Sequence, residues 1–186
     1  MRSSYRENNY GEVFRAIIDA FKPRACVELG VLDGYSTGYI AGKLKEIGDG
    51  VLHAYDLFEG YQYKNSNFKE VSDRYAEYQN LRISQMDAFE VAKLYAPGSV
   101  DFLHVDLSNT GDTVRKIMEQ WDEKMVQGGV VLFEGGTTER DNIDWMIKYG
   151  CAPIKKEIET NPIIQSRYVY GTYLKFPGLT MLLKKR

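Results

Sequence analysis

The chain has 186 residues, 44% of them apolar or aromatic and 27% charged; a globular composition of one-domain size excludes a mainly disordered or collagen-like chain. Lys and Arg total 24 against 26 Asp and Glu, for a net charge of −2, which argues against a nucleic-acid binder relying on a clustered basic excess. Two cysteines (Cys26, Cys151) and two histidines (His53, His104) are too few for a disulfide framework or a thiolate- or His-rich metal site. No apolar run approaches the roughly 20 residues of a membrane span, and Met1–Glu7 has no signal-peptide apolar region. The expectation is a cytoplasmic protein with neither a nucleic-acid nor a membrane partner.

Pattern types alternate along the chain, as expected of βαβ units over a parallel sheet. Residues 10–21 carry Val13, Ile17 and Phe21 four apart, the mark of an amphipathic helix, and Pro23 prevents its continuation. Ala25 to Leu29 reads as a short buried strand ending in Gly30–Gly34. A helix from Ser36 to Ile47 is stopped by Gly48-Asp49-Gly50, and Val51 to Tyr55 forms a second strand that ends at Asp56. Residues 57–80 are polar and rich in tyrosine (Tyr61, Tyr63, Tyr75, Tyr78), partly helical around 68–78, and suit a lid. A brief strand over 81–84 and a helix over 87–94 follow. Val100 to Val105 is a strand ending at Asp106, Asp112 to Met125 a helix, and Gln127-Gly128-Gly129 a turn into the strand Val130–Phe133. Beyond it, 141–149 reads as helical, while 153–158, 168–176 and 179–183 read as extended, with Pro177-Gly178 as a turn. The pattern predicts a single α/β domain over 1–186, with an N-terminal helical segment over 1–22. Its central sheet is mostly parallel, with helices on both faces and an antiparallel C-terminal edge.

Ligands of open α/β sheets bind beyond the carboxyl ends of the strands. There the sequence places Glu28, Asp56, Asp87, Asp106 and Glu134, five carboxylates expected on one edge. Gly30 and Gly34 permit a tight turn and close approach to backbone, and Ser36 is suited to cap the helix that follows. The spacing is not the G-x-G-x-x-G of a pyrophosphate site. Glu28 suits a cationic ligand group such as an ammonium or sulfonium, and Asp56 suits ribose hydroxyls. Taken alone, Asp87 reads as a helix N-cap and His104 as a core histidine.

Glu28-Leu-Gly30-Val-Leu-Asp-Gly34-Tyr-Ser36-Thr37 resembles the first motif of class I S-adenosylmethionine-dependent methyltransferases, closest to the small-molecule macrocin-type O-methyltransferases. Asp56-Leu-Phe-Glu-Gly60, Met86-Asp87-Ala88, and Asp101–Asp106 followed by Gly128–Glu134 resemble later motifs of the same group, in register from about Tyr10 to Glu134. The resemblance implies a Rossmann-like fold that binds S-adenosylmethionine. Glu28, Gly30, Gly34 and Ser36 would surround the methionine moiety, Asp56 would hold the ribose and Asp87 the adenine. It also implies methyl transfer to a small-molecule acceptor, most plainly at oxygen, with Asp106 and Glu134 activating that acceptor and offering two carboxylates to a Mg²⁺ ion. Ser108, Asn109 and Gly135 depart from the group, which often has an acid and a His after the Asp106 position and a second acid after Glu134. The rival readings are a catalytically silent cofactor-binding domain and a nicotinamide-dependent oxidoreductase. A homodimer is the default assembly.

Overall fold

The computed structural model describes residues 1–62 and 66–186; Tyr63, within the expected lid, lies outside the described residues. Two compact units are formed, Met1–Leu94 and Tyr95–Arg186, and the seven strands make a mostly parallel sheet with an antiparallel end.

In the first unit, helix α1 (Tyr10–Phe21) precedes strand β1 (Ala25–Leu29), followed by α2 (Tyr35–Ile47), β2 (Val51–Asp56), α3 (Phe68–Arg74), β3 (Leu81–Gln85) and α4 (Ala88–Val91). The β1/β2 and β2/β3 ladders are parallel, with Glu28 opposite Ala54 and Asp56 opposite Gln85. The expected helix over 10–21 forms, but its buried stripe is Tyr10, Phe14 and Ile18 rather than Val13, Ile17 and Phe21. Tyr5 decides this: its ring lies 5.1 Å from both Tyr10 and Phe14, so the aromatic side of the helix is the covered one.

The second unit runs β4 (Val100–Val105), α5 (Gly111–Trp121), β5 (Met125–Glu134), α6 (Thr138–Asp141), α7 (Asp144–Lys148), α8 (Ile154–Thr160), α9 (Pro162–Arg167), β6 (Tyr168–Tyr173) and β7 (Leu179–Lys184). Strands β4 and β5 pair in parallel, and β7 lies antiparallel between β5 and β6. The core combines the continuous apolar run Val130–Phe133 with Val114, Ile117, Met118 and Trp121 on one face of α5, all buried.

Two expectations for this unit are corrected. Gln127-Gly128-Gly129 lies inside β5 rather than before it, at a register shift between Val100 and Phe102 that absorbs the extra residues. Of residues 153–158, Pro153 is the N-cap and 154–158 belong to the helix α8, not to a strand: Ile154 and Ile158, four apart, are both buried. Asn161 then caps α9, its side chain accepting from the Ile163 and Ile164 N–H groups, and Pro162 takes the first helical position.

Candidate functional site

The first unit gathers half of its positive-φ backbone where β1 and β2 end. Gly30 and Gly34 have φ of 92° and 84°, the left-handed region in which a side chain is strained. Leu32 (φ 50°) and Phe58 (φ 47°) enter the same region without being glycine, at a cost of about 1–2 kcal/mol each. One carboxylate holds both in place. Oδ2 of Asp56 accepts from the Val31 and Leu32 N–H groups at 2.8 and 2.9 Å, and Oδ1 accepts from Phe58 N–H at 2.7 Å. Asp56 therefore shapes the loop after β1, a function that the sequence reading did not assign to it.

Glu28 is fully buried beneath that loop. Its two oxygens accept from the hydroxyls of Ser36 (2.6 Å) and Thr37 (2.5 Å), one each. Ser36 is thus not the N-cap of α2. The cap is Gly34, which has no side chain to offer, so the first turn of this thirteen-residue helix has no side-chain acceptor and its N–H groups suit an anionic ligand group. Glu28, expected to face a cationic ligand, instead fixes the first turn of α2 through two hydroxyls. Asp87 caps α4 by accepting from Phe89 N–H at 2.9 Å.

The loop is braced from outside by residues far away in sequence. Tyr75 donates from its hydroxyl to the Gly34 carbonyl at 2.6 Å, and burial pushes its phenol up to about 12. A Cβ at Gly34 would lie 2.6 Å from the Tyr75 ring, so only glycine fits beneath it. Arg74 donates to the Asp33 carbonyl at 2.5 Å, while the Asp33 carboxylate receives Arg2 at 2.8 Å and the Ser66 hydroxyl. Of the expected lid, the part from Ser66 to Tyr75 is tied to the loop at these points. The Arg2 hydrogen bond is the main cause that holds the Asp33 carboxyl well below its ordinary value, 3.8. Because the folded state depresses this group, its contribution to stability is complete above pH 3.8 and is lost as the pH falls below it. Asp33→Asn should therefore lower the melting temperature at pH 7, and the gap from wild type should close on acidification; an unchanged gap at pH 3 would contradict the assignment.

In the second unit, Asp106 and Glu134 each stand one step beyond the pair Val105↔Phe133, at the ends of β4 and β5. Asp106 is half-buried. Glu134 is buried, and both its oxygens lie in the guanidinium fork of Arg140: Nε donates to Oε1 at 2.7 Å and Nη2 to Oε2 at 3.0 Å. Burial pushes the Glu134 carboxyl up, opposed by Arg140 and by the buried His104. Arg140 escaped the sequence reading; an arginine six residues past a strand-end carboxylate was the available signal. Asn109, in a position where the resemblance suggested a His, donates from Nδ2 to the carbonyls of Val105 and Glu134, both at 3.0 Å, and so staples the two strand ends.

These residues do not fit the expected Mg²⁺. A hard cation needs carboxylate oxygens free to coordinate, and those of Glu134 already serve Arg140. Among the described residues, no group of three or more His, Cys, Asp or Glu is placed to hold a metal ion. The expectation that Glu134 acts on the acceptor or on a metal is corrected for the same reason: it is one half of a buried ion pair.

A family model described as a methyltransferase domain matches residues 27–134. No curated protein matches the sequence. Among solved structures, this chain is similar to the Podospora anserina methyltransferase PaMTH1, solved with S-adenosylhomocysteine (15% identity, TM-score 0.74, covering 100% of this chain and 80% of that one). It is also similar to the O-methyltransferase TomG of Streptomyces achromogenes, solved with S-adenosylmethionine (17%, TM-score 0.68, 98% and 86%). A Bacillus cereus O-methyltransferase, solved with S-adenosylhomocysteine, is a further match (16%, TM-score 0.68, 95% and 81%). At such identities the likeness establishes the fold, the Rossmann-like one that the sequence motifs imply. Among the described residues no helix is long and apolar enough to cross a membrane.

Proposed function

From the premise that this chain belongs to the methyltransferase-domain family, we propose that it binds S-adenosylmethionine at the ends of β1 and β2 and methylates an oxygen of a small-molecule acceptor. The observation that carries this reading is the loop between Gly30 and Gly34: left-handed backbone at three positions, held by Asp56, leading into a helix whose first turn has no side-chain cap. In this reading the α2 N-terminus receives the carboxylate of the methionine moiety. Asp56 is assigned to a ribose hydroxyl and Asp87 to the adenine. The O-methyltransferase neighbours TomG and the Bacillus cereus enzyme support oxygen as the acceptor atom.

Bound S-adenosylmethionine supplies an electrophilic methyl group whose departure leaves a neutral thioether. The chain's share of the work is to align the acceptor and to take the proton that its hydroxyl loses. We assign that proton to the Asp106 carboxylate, since Glu134 is engaged by Arg140. Calorimetry with S-adenosylhomocysteine should show one site per chain, and radiolabelled S-adenosylmethionine should methylate at least one member of a panel of phenols, sugars and hydroxy acids. Absence of S-adenosylhomocysteine binding would defeat the reading. The engagement of Glu134 and the stapling role of Asn109 also favour one second reading, a domain that keeps the cofactor and has lost the transfer step; binding without turnover on the whole panel would select it.

A further inference from the structure

Three features of the second unit converge on the end of β5. Gly135 follows Glu134 with φ of 105°, and a Cβ there would lie 2.7 Å from Cδ1 of Ile154 and 3.4 Å from Cγ of Arg140. A second acid beside Glu134, as the resemblance would have it, is therefore excluded both by backbone conformation and by occupied space. The space is filled by Ile154, with the stem of the arginine that grips Glu134 in contact beside it. Arg140 is itself held firmly: its backbone N–H donates to the Thr137 hydroxyl at 3.1 Å in the cap of α6, and its guanidinium lies 5.1 Å from the Trp145 ring centre. Asp141, next in sequence, accepts from the Ile154 and Lys155 N–H groups at 2.8 and 3.0 Å, fixing the start of α8 and with it the Ile154 side chain that closes the Gly135 position. Finally, Nη1 of Arg140 and Oδ1 of Asn109 are buried polar atoms with no hydrogen-bond partner among the described residues.

We propose that the Arg140 guanidinium takes the place of the divalent cation that the sequence resemblance implies beside Asp106, making this a metal-independent member of its family. The inference rests on the methyltransferase reading and deepens it. A guanidinium supplies a fixed positive charge and planar donors that match a carboxylate in the bidentate manner, so it neutralises Glu134 as a cation would. Unlike a cation, it has no exchangeable coordination positions, so a hydroxyl acceptor cannot gain acidity by direct ligation here. The orphaned Nη1 donor and the Asn109 acceptor leave hydrogen-bonding capacity on either side of Glu134 for water or for a polar group of the acceptor. Proton removal then falls to Asp106 alone.

The wild-type chain is titrated with Mn²⁺ alone and followed by the electron-spin resonance of the free ion. No retention is expected up to about 1 mM, the weak end of protein sites for hard cations. Melting temperature and S-adenosylhomocysteine affinity should be unchanged by EDTA or by added Mg²⁺. Arg140→Ala frees both Glu134 oxygens, so its melting temperature should rise on addition of Mg²⁺ or Mn²⁺ where that of wild type does not. Retention of one Mn²⁺ by the wild type, abolished in Glu134→Gln, overturns the proposal. So does an Arg140→Ala that folds yet responds to cations no more than wild type. If that variant fails to fold, the wild-type titration decides by itself. Metal binding, or an S-adenosylhomocysteine affinity that is lost with EDTA and restored by Mg²⁺, counts against this inference only, whereas absence of that affinity both with and without added metal counts against the functional reading.

Discussion

Arg140→Met should destabilise the protein by about 3–5 kcal/mol, the usual consequence of stripping one partner from a buried ion pair. Both side chains are about 5% exposed, so the Glu134 carboxylate left behind could recover little hydration. It would have to take up a proton or draw in water, and the burial that already pushes it up favours the proton. The double variant Glu134→Met/Arg140→Met should regain much of the loss, because two apolar chains of similar length leave no charge unpaired. Urea denaturation of the three proteins measures this directly. The order matters more than the size: if the double variant were less stable than either single one, the pair would be a net source of stability rather than a device that fixes the end of β5. Against a typical total stability of 5–15 kcal/mol, the single change removes enough to be visible in any unfolding assay.

The same pair shows where the sequence stops being informative. Periodicity placed β1 and β4 at their observed bounds, Ala25–Leu29 and Val100–Val105, because a strand buried on both faces is mostly apolar even with Glu28, Asp101 and His104 inside these two, and the runs end where Gly30 and Asp106 follow. It also located the loop at Gly30–Gly34, since left-handed backbone leaves glycine as its signature. Partner choice was not legible in this way. Glu28, Asp56 and Glu134 were found as carboxylates at strand ends, yet what each binds is decided by three-dimensional neighbours. Those neighbours are two hydroxyls one helical turn into α2, three backbone N–H groups from two loops, and an arginine on a four-residue helix. Side-chain hydrogen bonds to backbone leave almost no compositional trace, because every residue but proline can donate. The helices α8 and α9 were lost to a related ambiguity: Pro153–Ile158 offers only one aliphatic pair four apart, Ile154 and Ile158, a run too short to tell a helix from an extended segment. Only the Asn161-Pro162 cap, read as the start of a second helix, would have tipped the balance.

Asp56 offers the sharper test of the cofactor cradle. Replacing it with alanine withdraws the acceptor from three N–H groups, two of them on Leu32 and Phe58, whose left-handed backbone is strained. Hydrogen bonds to a charged acceptor contribute about 1.5–3 kcal/mol each, so the loop after β1 should relax and the affinity for S-adenosylhomocysteine should fall by at least about 1–3 kcal/mol. Asp56→Asn separates the two tasks of this carboxylate. An amide can keep accepting through one oxygen, so it can hold either the Val31 and Leu32 pair or Phe58, but not both. It should accordingly retain more stability than alanine while still binding the nucleoside weakly. Calorimetry with S-adenosylhomocysteine and thermal melting, run on both variants, distinguish the outcomes. If stability fell in both while affinity stayed at the wild-type level, Asp56 would be a purely architectural residue, and the nucleoside would have to bind without the loop that this carboxylate shapes.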